Sequence, residues 1–120
     1  MLSIFKREKK VVDEIEPYEA FIIIKEEVNN PNFIILDVRT PNEYKIEHLE
    51  NAHLLNVKSS SFEDELDGMD KNKKYLVYCR RGKRGIIACN LMKKHGYKKV
   101  YNITGGITKW KSKKLPVTSE

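Results

Sequence analysis

Phe33-Ile34-Ile35-Leu36 places four apolar residues in a row, closed by Asp37-Val38, a run too short and too β-branched to favour a helix. Such a run predicts a strand over 33–38 with both faces covered, as in a parallel sheet. Lys74-Tyr75-Leu76-Val77-Tyr78 and Lys99-Val100-Tyr101-Asn102-Ile103 read the same way, and Ala52-His53-Leu54-Leu55-Asn56-Val57 reads as a weaker strand. Between the strands the pattern is helical. Pro17 opens a helix through Lys25, with acidic residues near its start, and Asn29-Asn30-Pro31-Asn32 stops it. Thr40-Pro41-Asn42-Glu43 has a cap, a proline at the first position and a glutamate at the third, the capping-box spacing. Ser59 to Leu66 predicts a helix, and so does Arg84 to Lys94, where Ile87, Leu91 and His95 recur every four residues and Gly96 is the stop. Thr104-Gly105-Gly106 turns into a closing helix carrying Ile107 and Trp110. Alternation of this kind implies an α/β protein with a mainly parallel sheet. Ligands of such sheets bind beyond the carboxyl ends of the strands, which directs attention to Val77-Tyr78-Cys79.

At 120 residues there is room for one core, and 40% apolar with 33% charged residues excludes disordered and collagen-like chains. No apolar run approaches the ~20 residues of a membrane span. Leu2-Ser3-Ile4-Phe5 is too short for a signal-peptide core and runs at once into Lys6-Arg7-Glu8-Lys9-Lys10. The expected layout is a basic arm over 1–12, one domain over 13–116 and a tail over 117–120, in a cytoplasmic protein without membrane contact. Two cysteines, Cys79 and Cys89, are too few for a disulfide scaffold and read as thiols in a reducing compartment.

Charge is divided along the chain. Residues 1–70 hold 8 basic and 16 acidic side chains, a net of −8, whereas residues 71–120 hold 15 basic and one acidic, a net of +14. Solvated lysines explain part of this excess. Its densest cluster, however, surrounds the sheet-end thiol: four of the six residues from Cys79 to Arg84 are cationic. In Cys79-Arg80-Arg81-Gly82-Lys83-Arg84-Gly85 the glycines allow backbone N–H groups to turn inward and cradle an anion, with the start of the next helix adding positive potential. A thiol there is expected to ionise below the reference ~8.5 and to act as a nucleophile. The bland alternative is an inert strand-end cysteine among surface arginines. Cys89, mid-helix beside Ile86, Ile87 and Ala88, reads as a core thiol, and C-x9-C is neither a zinc nor a redox spacing. No metal or cofactor is expected.

Four markers in order resemble the single-domain rhodanese-like sulfurtransferases. They are Leu36-Asp37-Val38-Arg39-Thr40 with Pro41-x-Glu43-Tyr44, then His48-Leu49 with Ala52, then Tyr78-Cys79-Arg80-Arg81-Gly82-Lys83-Arg84, and Gly105-Gly106-Ile107-x-x-Trp110. The resemblance implies a five-stranded, mainly parallel sheet with helices on both faces. It also implies Cys79 as a nucleophile that takes sulfane sulfur from thiosulfate or a similar anionic donor as a persulfide. A thiol or cyanide would then accept the sulfur. Arg80, Arg81, Gly82, Lys83, Arg84 and Gly85 would bind the donor. This chain departs from the usual pattern at Glu47 and Asn51, where glycines are common, and at Gly85, where a serine or threonine usually follows the arginine.

Asp37 and Arg39 are expected to brace the loop behind the sheet, His48 to be a satisfied turn residue and Trp110 to be core. Two other functions compete. A phosphatase or arsenate reductase would need arginine six residues after the cysteine, but Gly85 stands there and Arg84 comes one place early. A persulfide carrier or docking module with little turnover would use the positive half to hold an acidic protein partner or RNA. Lys93, Lys94, His95, Tyr97, Lys98, Lys99 and Tyr101 interleave charge with aromatics, but no RNA-binding signature is present, so nucleic acid is not an expected partner.

Overall fold

The computed structural model describes residues 12–119. All but Val12 of the expected basic arm lies outside them. The elements run β1 (Asp13–Ile15), α1 (Pro17–Glu27), β2 (Phe33–Asp37), α2 (Pro41–Ile46), β3 (His53–Leu54), α3 (Phe62–Asp67), β4 (Lys74–Tyr78), α4 (Lys83–Lys94), β5 (Lys99–Ile103) and α5 (Gly106–Ser112). The strands form one five-stranded sheet in the order β1-β5-β4-β2-β3, and every pairing is parallel. The two most apolar strands, β2 and β4, lie side by side near the centre, in register from Phe33↔Lys74 to Asp37↔Tyr78.

Side-chain alternation divides the core into two layers. On one face Leu36, Val77 and Val100 meet Phe62 and Leu66 of α3 and Ala88, Cys89 and Met92 of α4. On the other, Ile35, Leu76, Tyr78 and Ile103 meet Ala20 of α1 and Ile107 and Trp110 of α5. Helices therefore cover both faces of the sheet.

The capping box at α2 forms as the sequence predicts: Thr40 Oγ1 accepts from Glu43 N–H, and the Glu43 carboxylate accepts from Thr40 N–H. Two expectations change. The strand over 52–57 shrinks to His53–Leu54, although Leu55 N–H and Val57 N–H still donate to Asp37 and Val38 carbonyls. The helix expected from Ser59 starts at Phe62, because Ser59 and Ser61 make a turn of their own in which Ser61 N–H bonds Ser59 Oγ. Strand β1 was not legible from pattern: it is an edge strand with only Ile15 buried, so two of its three residues are free to be acidic. Beyond residue 116, Thr118 exchanges two backbone hydrogen bonds with His48, at 2.9 and 2.8 Å, and Val117 packs on the second core layer.

Candidate active site

Cys79 follows the last residue of β4 and begins a loop that hands the chain to α4. Gly82 ends that loop with φ 111°, a left-handed conformation that side chains disfavour. The turn aims the Gly82 N–H at Cys79 Sγ, 3.0 Å away. The loop's outer carbonyls face the other way, toward the start of α5: Ile107 N–H donates to Cys79 O at 2.9 Å and Thr108 N–H to Arg80 O at 3.0 Å. Gly106 makes this approach possible, since a Cβ there would collide with the carbonyl of Cys79 and the backbone of Arg80. The Gly105-Gly106 turn thus supports the cysteine loop from behind.

The thiol sits at the bottom of a cavity of about 220 Å3 lined by Cys79, Arg80, Arg81, Lys83 and Arg84. Cys79 is 1% exposed, so a reagent must enter among the cations to reach it. These cations are not equivalent. Arg84 makes a two-pronged ion pair with Glu43 of α2, Nη1–Oε1 at 2.7 Å and Nη2–Oε2 at 2.9 Å. These Arg84 bonds, with further help from Thr40 and against the effect of burial, hold the Glu43 carboxyl down to about 2. No hydrogen bond or ion pair among the described residues engages the side chains of Arg80, Arg81 or Lys83, all exposed. The structure therefore gathers Arg80, Arg81, Gly82, Lys83 and Arg84 around the thiol or its cavity and places Gly85 in the first turn of α4. Gly85 is a helical residue of α4 packed against Asn102 of β5, so its role is close packing rather than loop conformation.

A second cavity, about 430 Å3, adjoins the first through Arg80 and Arg81 and continues past Arg39, Glu47, Ile107 and Lys111 to Ile46, which is 74% exposed. Glu47 and Lys111 form an ion pair at its rim.

The brace expected of Asp37 and Arg39 is present, but it holds a different segment. Arg39 donates to both Asp37 carboxylate oxygens and to the Glu47 carbonyl, and Tyr78 OH donates to Asp37 while accepting from Leu49 N–H. Buried charge is thereby paired and the turn at 47–49 is tied to the sheet. The departures from glycine in that turn are accommodated: Glu47 is extended at φ −167°, open to any residue, and Asn51 takes φ 68°, which asparagine tolerates. His48 is buried, stacks on Tyr44 at 3.8 Å and donates through Nδ1 to the Tyr44 carbonyl. Trp110 is core. Cys89 is buried in the apolar layer, which pushes its thiol up to about 12.

Sequence reasoning missed two contributors. Glu43 was legible as a capping residue, but its partner lies 41 positions on. Asn102 carried a faint signal, an amide within an otherwise apolar strand. Among the described residues no group of three or more His, Cys, Asp or Glu is placed to hold a metal, and no helix is long and apolar enough to cross a membrane.

A parallel α/β sheet with a cysteine at the carboxyl end of a central strand, cradled by backbone and arginines, defines a class. The chain belongs to the rhodanese-like domain family, whose model matches residues 23–113. It is 30% identical over 99 residues to a thiosulfate sulfurtransferase GlpE of Coxiella burnetii, covering 82% of this chain and 87% of that one. It is 33% identical over 104 residues to a tRNA uridine(34) hydroxylase of Hamiltonella defensa, covering 78% of this chain but spanning only 29% of that protein's length. Among solved structures, a rhodanese-related protein of Thermoplasma volcanium superimposes with a TM-score of 0.74 at 24% identity, over 90% of this chain and 99% of that one, a likeness of fold.

Proposed function

We propose that this chain is a sulfurtransferase that passes sulfane sulfur through a Cys79 persulfide, with thiosulfate or a similar small dianion as donor. The observation that carries the reading is the Gly82 N–H on Cys79 Sγ at the floor of a cavity walled by arginines and lysine. The Cys79 thiolate attacks the outer sulfur of the donor. A Cys79 S–S bond forms, the donor's S–S bond breaks, and its electron pair leaves with sulfite. The side chains of Arg80, Arg81 and Lys83, without partners among the described residues, suit a dianion, and Arg84, fixed by Glu43, holds the wall beside them. An acceptor thiolate or cyanide then attacks the terminal sulfur and releases the Cys79 thiolate, so the cycle needs no external oxidant or reductant.

Similarity to a thiosulfate sulfurtransferase over nearly the full length of both chains supports this reading. The observation that Arg84 is committed to Glu43, one residue short of the phosphatase position, favours sulfur over phosphate-ester chemistry. Intact mass after thiosulfate exposure is the test. The parent chain and Cys89→Ser should gain one sulfur, about 32 Da, reversible by thiol reductant, and Cys79→Ser should gain none. No gain in the parent, or a gain that follows Cys89, would overturn the reading; hydrolysis of an aryl phosphate instead would move it to the phosphatase branch.

A further inference from the structure

Asn102 is fully buried near the carboxyl end of β5, and its two amide atoms fare differently. Nδ2 donates to the Gly82 carbonyl at 3.2 Å and, at the limit of bonding, to Glu14 Oε1 at 3.4 Å. Oδ1 has no hydrogen-bond partner among the described residues. Rotating the amide would bring its oxygen against two acceptors, so the orientation is dictated by its neighbours. The orphaned Oδ1 lies against Gly85, where any Cβ would collide with it and sit 2.9 Å from Asn102 Cγ. The carboxamide therefore occupies the space of a side chain at position 85, the position where this chain departs from serine or threonine. A buried acceptor without a donor is a standing cost in stability. The bond it accompanies falls on Gly82, the residue whose N–H meets the reactive sulfur.

We propose that Asn102 is a positioning residue for Cys79, acting through Gly82, and that glycine at position 85 is the vacancy that admits it. A glycine at φ 111° has wide conformational choice and needs restraint. Its carbonyl is held by Ile86 N–H at 3.1 Å and by Asn102 Nδ2, which leaves its N–H on Cys79 Sγ. Loss of the Asn102 bond frees the Gly82–Lys83 peptide and, through the φ and ψ of Gly82, loosens the aim of the Arg81–Gly82 N–H that meets the sulfur, while the side chains of Arg80, Arg81 and Lys83 that meet the donor are untouched.

The inference rests on the sulfurtransferase reading for its turnover measurement but not for its thiol-reactivity measurement. Cys79 is alkylated with iodoacetamide, with modification localised by mass, and thiosulfate turnover is followed separately. In Asn102→Ala the alkylation rate at neutral pH should fall several-fold, up to the about ten-fold that complete loss of the Gly82 N–H bond to the sulfur would cost, with the limiting rate at high pH unchanged. Turnover should fall similarly in kcat with the donor KM within about two-fold. Gly85→Ala should do the same, because its methyl displaces the carboxamide, and the double variant should be no worse than Asn102→Ala alone. Arg80, Arg81, Lys83 and the Arg84–Glu43 pair around the thiol, and Glu14 beside Asn102, are common to every variant. If Asn102→Ala does not fold, Gly85→Ala carries the test alone. Parent-like alkylation in a folded Asn102→Ala or Gly85→Ala, or losses that multiply in the double variant, would overturn the proposal. A parent that alkylates as expected but transfers no sulfur would overturn the function and leave the positioning role standing.

Discussion

The two ends of α4 carry the same sign of charge in opposite electrostatic settings. Lys93, Lys94 and His95 stand at its C-terminal end, where the helix dipole is negative and cations stabilise. Lys83 and Arg84 stand in its first turn, where the dipole is already positive and no acidic residue of the helix offsets them. The C-terminal arrangement is what folding alone would select. The N-terminal one works against folding except where Glu43 offsets Arg84, and it faces the cavity above Cys79. Positive charge stacked on a positive dipole beside a thiol has an obvious use in holding an anion against that thiol, and the contrast separates charge kept for stability from charge kept for chemistry.

The sharpest way to break this contrast is through the two thiols that α4 relates, one just before it and one within it. Cys79→Ser should reduce sulfur transfer by about three orders of magnitude or more, since the nucleophile is gone, and should lower the melting temperature less than Cys89→Ser, since a serine Oγ there can still accept from Gly82 N–H. Cys89→Ser should leave transfer intact and lower the melting temperature, because a hydroxyl replaces a buried apolar thiol. Transfer assays and thermal melts on the two variants decide it; equal losses of transfer would erase the distinction between the helix start and the helix body.

Glu43 sharpens the comparison next, as a carboxylate that reaches the positive end from another element. Its folded-state value near 2 lies below the ordinary 4.5, so its stabilising contribution is full above pH 4.5 and is lost as pH falls through about 2. Glu43→Gln should lower stability by about 2 kcal/mol at neutral pH and flatten the stability curve between pH 4.5 and 2. Denaturant melts across that window check it. An unchanged curve would mean that Arg84 is held by something other than Glu43.

What could be read in advance follows from where each piece of information lies along the chain. The central strands were legible because burial on both faces forces continuous apolar runs such as Phe33–Leu36 and Leu76–Tyr78. The cysteine loop was legible because thiol, cations and the turning glycine Gly82 occupy six consecutive residues. Strand β1 was not, because an edge with one buried residue imposes no pattern. The Glu43–Arg84 and Asn102–Gly82 bonds were not, because only the parallel stacking of β2, β4 and β5 brings those positions together. Gly85 shows the remaining kind of failure: residue type pointed to loop flexibility, whereas the reason for glycine is a neighbour 17 positions away in sequence.

A smaller and two-sided effect is expected from neutralising one lysine at each end. Lys83→Gln should raise the donor KM several-fold while stabilising the fold slightly, by about 0.3–1 kcal/mol, as a cation leaves the positive end of the helix. Lys94→Gln, an exposed residue at the other end, should cost a similar amount of stability and leave the KM unchanged. Paired melts and donor titrations at low salt test the opposition of signs. Loss of stability in both variants would show that the N-terminal lysine is structural after all.

The smallest effect is reserved for His95, which caps α4 at the favourable end and ties it to α3 through Glu63 at 2.9 Å and Asp67 at 3.0 Å. The hydrogen bonds to Glu63 and to Asp67, with the charge of both carboxylates, raise the imidazole above its usual 6.5. Because the folded-state value is raised, the tie is fully present below pH 6.5 and is lost as pH rises through the raised value. His95→Asn should therefore lower stability at pH 6 and match the parent at pH 9, and Asp67, still paired to Lys71, should keep part of its own depression. Sulfur transfer should not change at either pH, since this tie lies at the end of α4 remote from Cys79. A variant whose transfer rate followed the His95 titration would couple the two ends of the helix, and the division between a stabilising end and a chemical end would fail there.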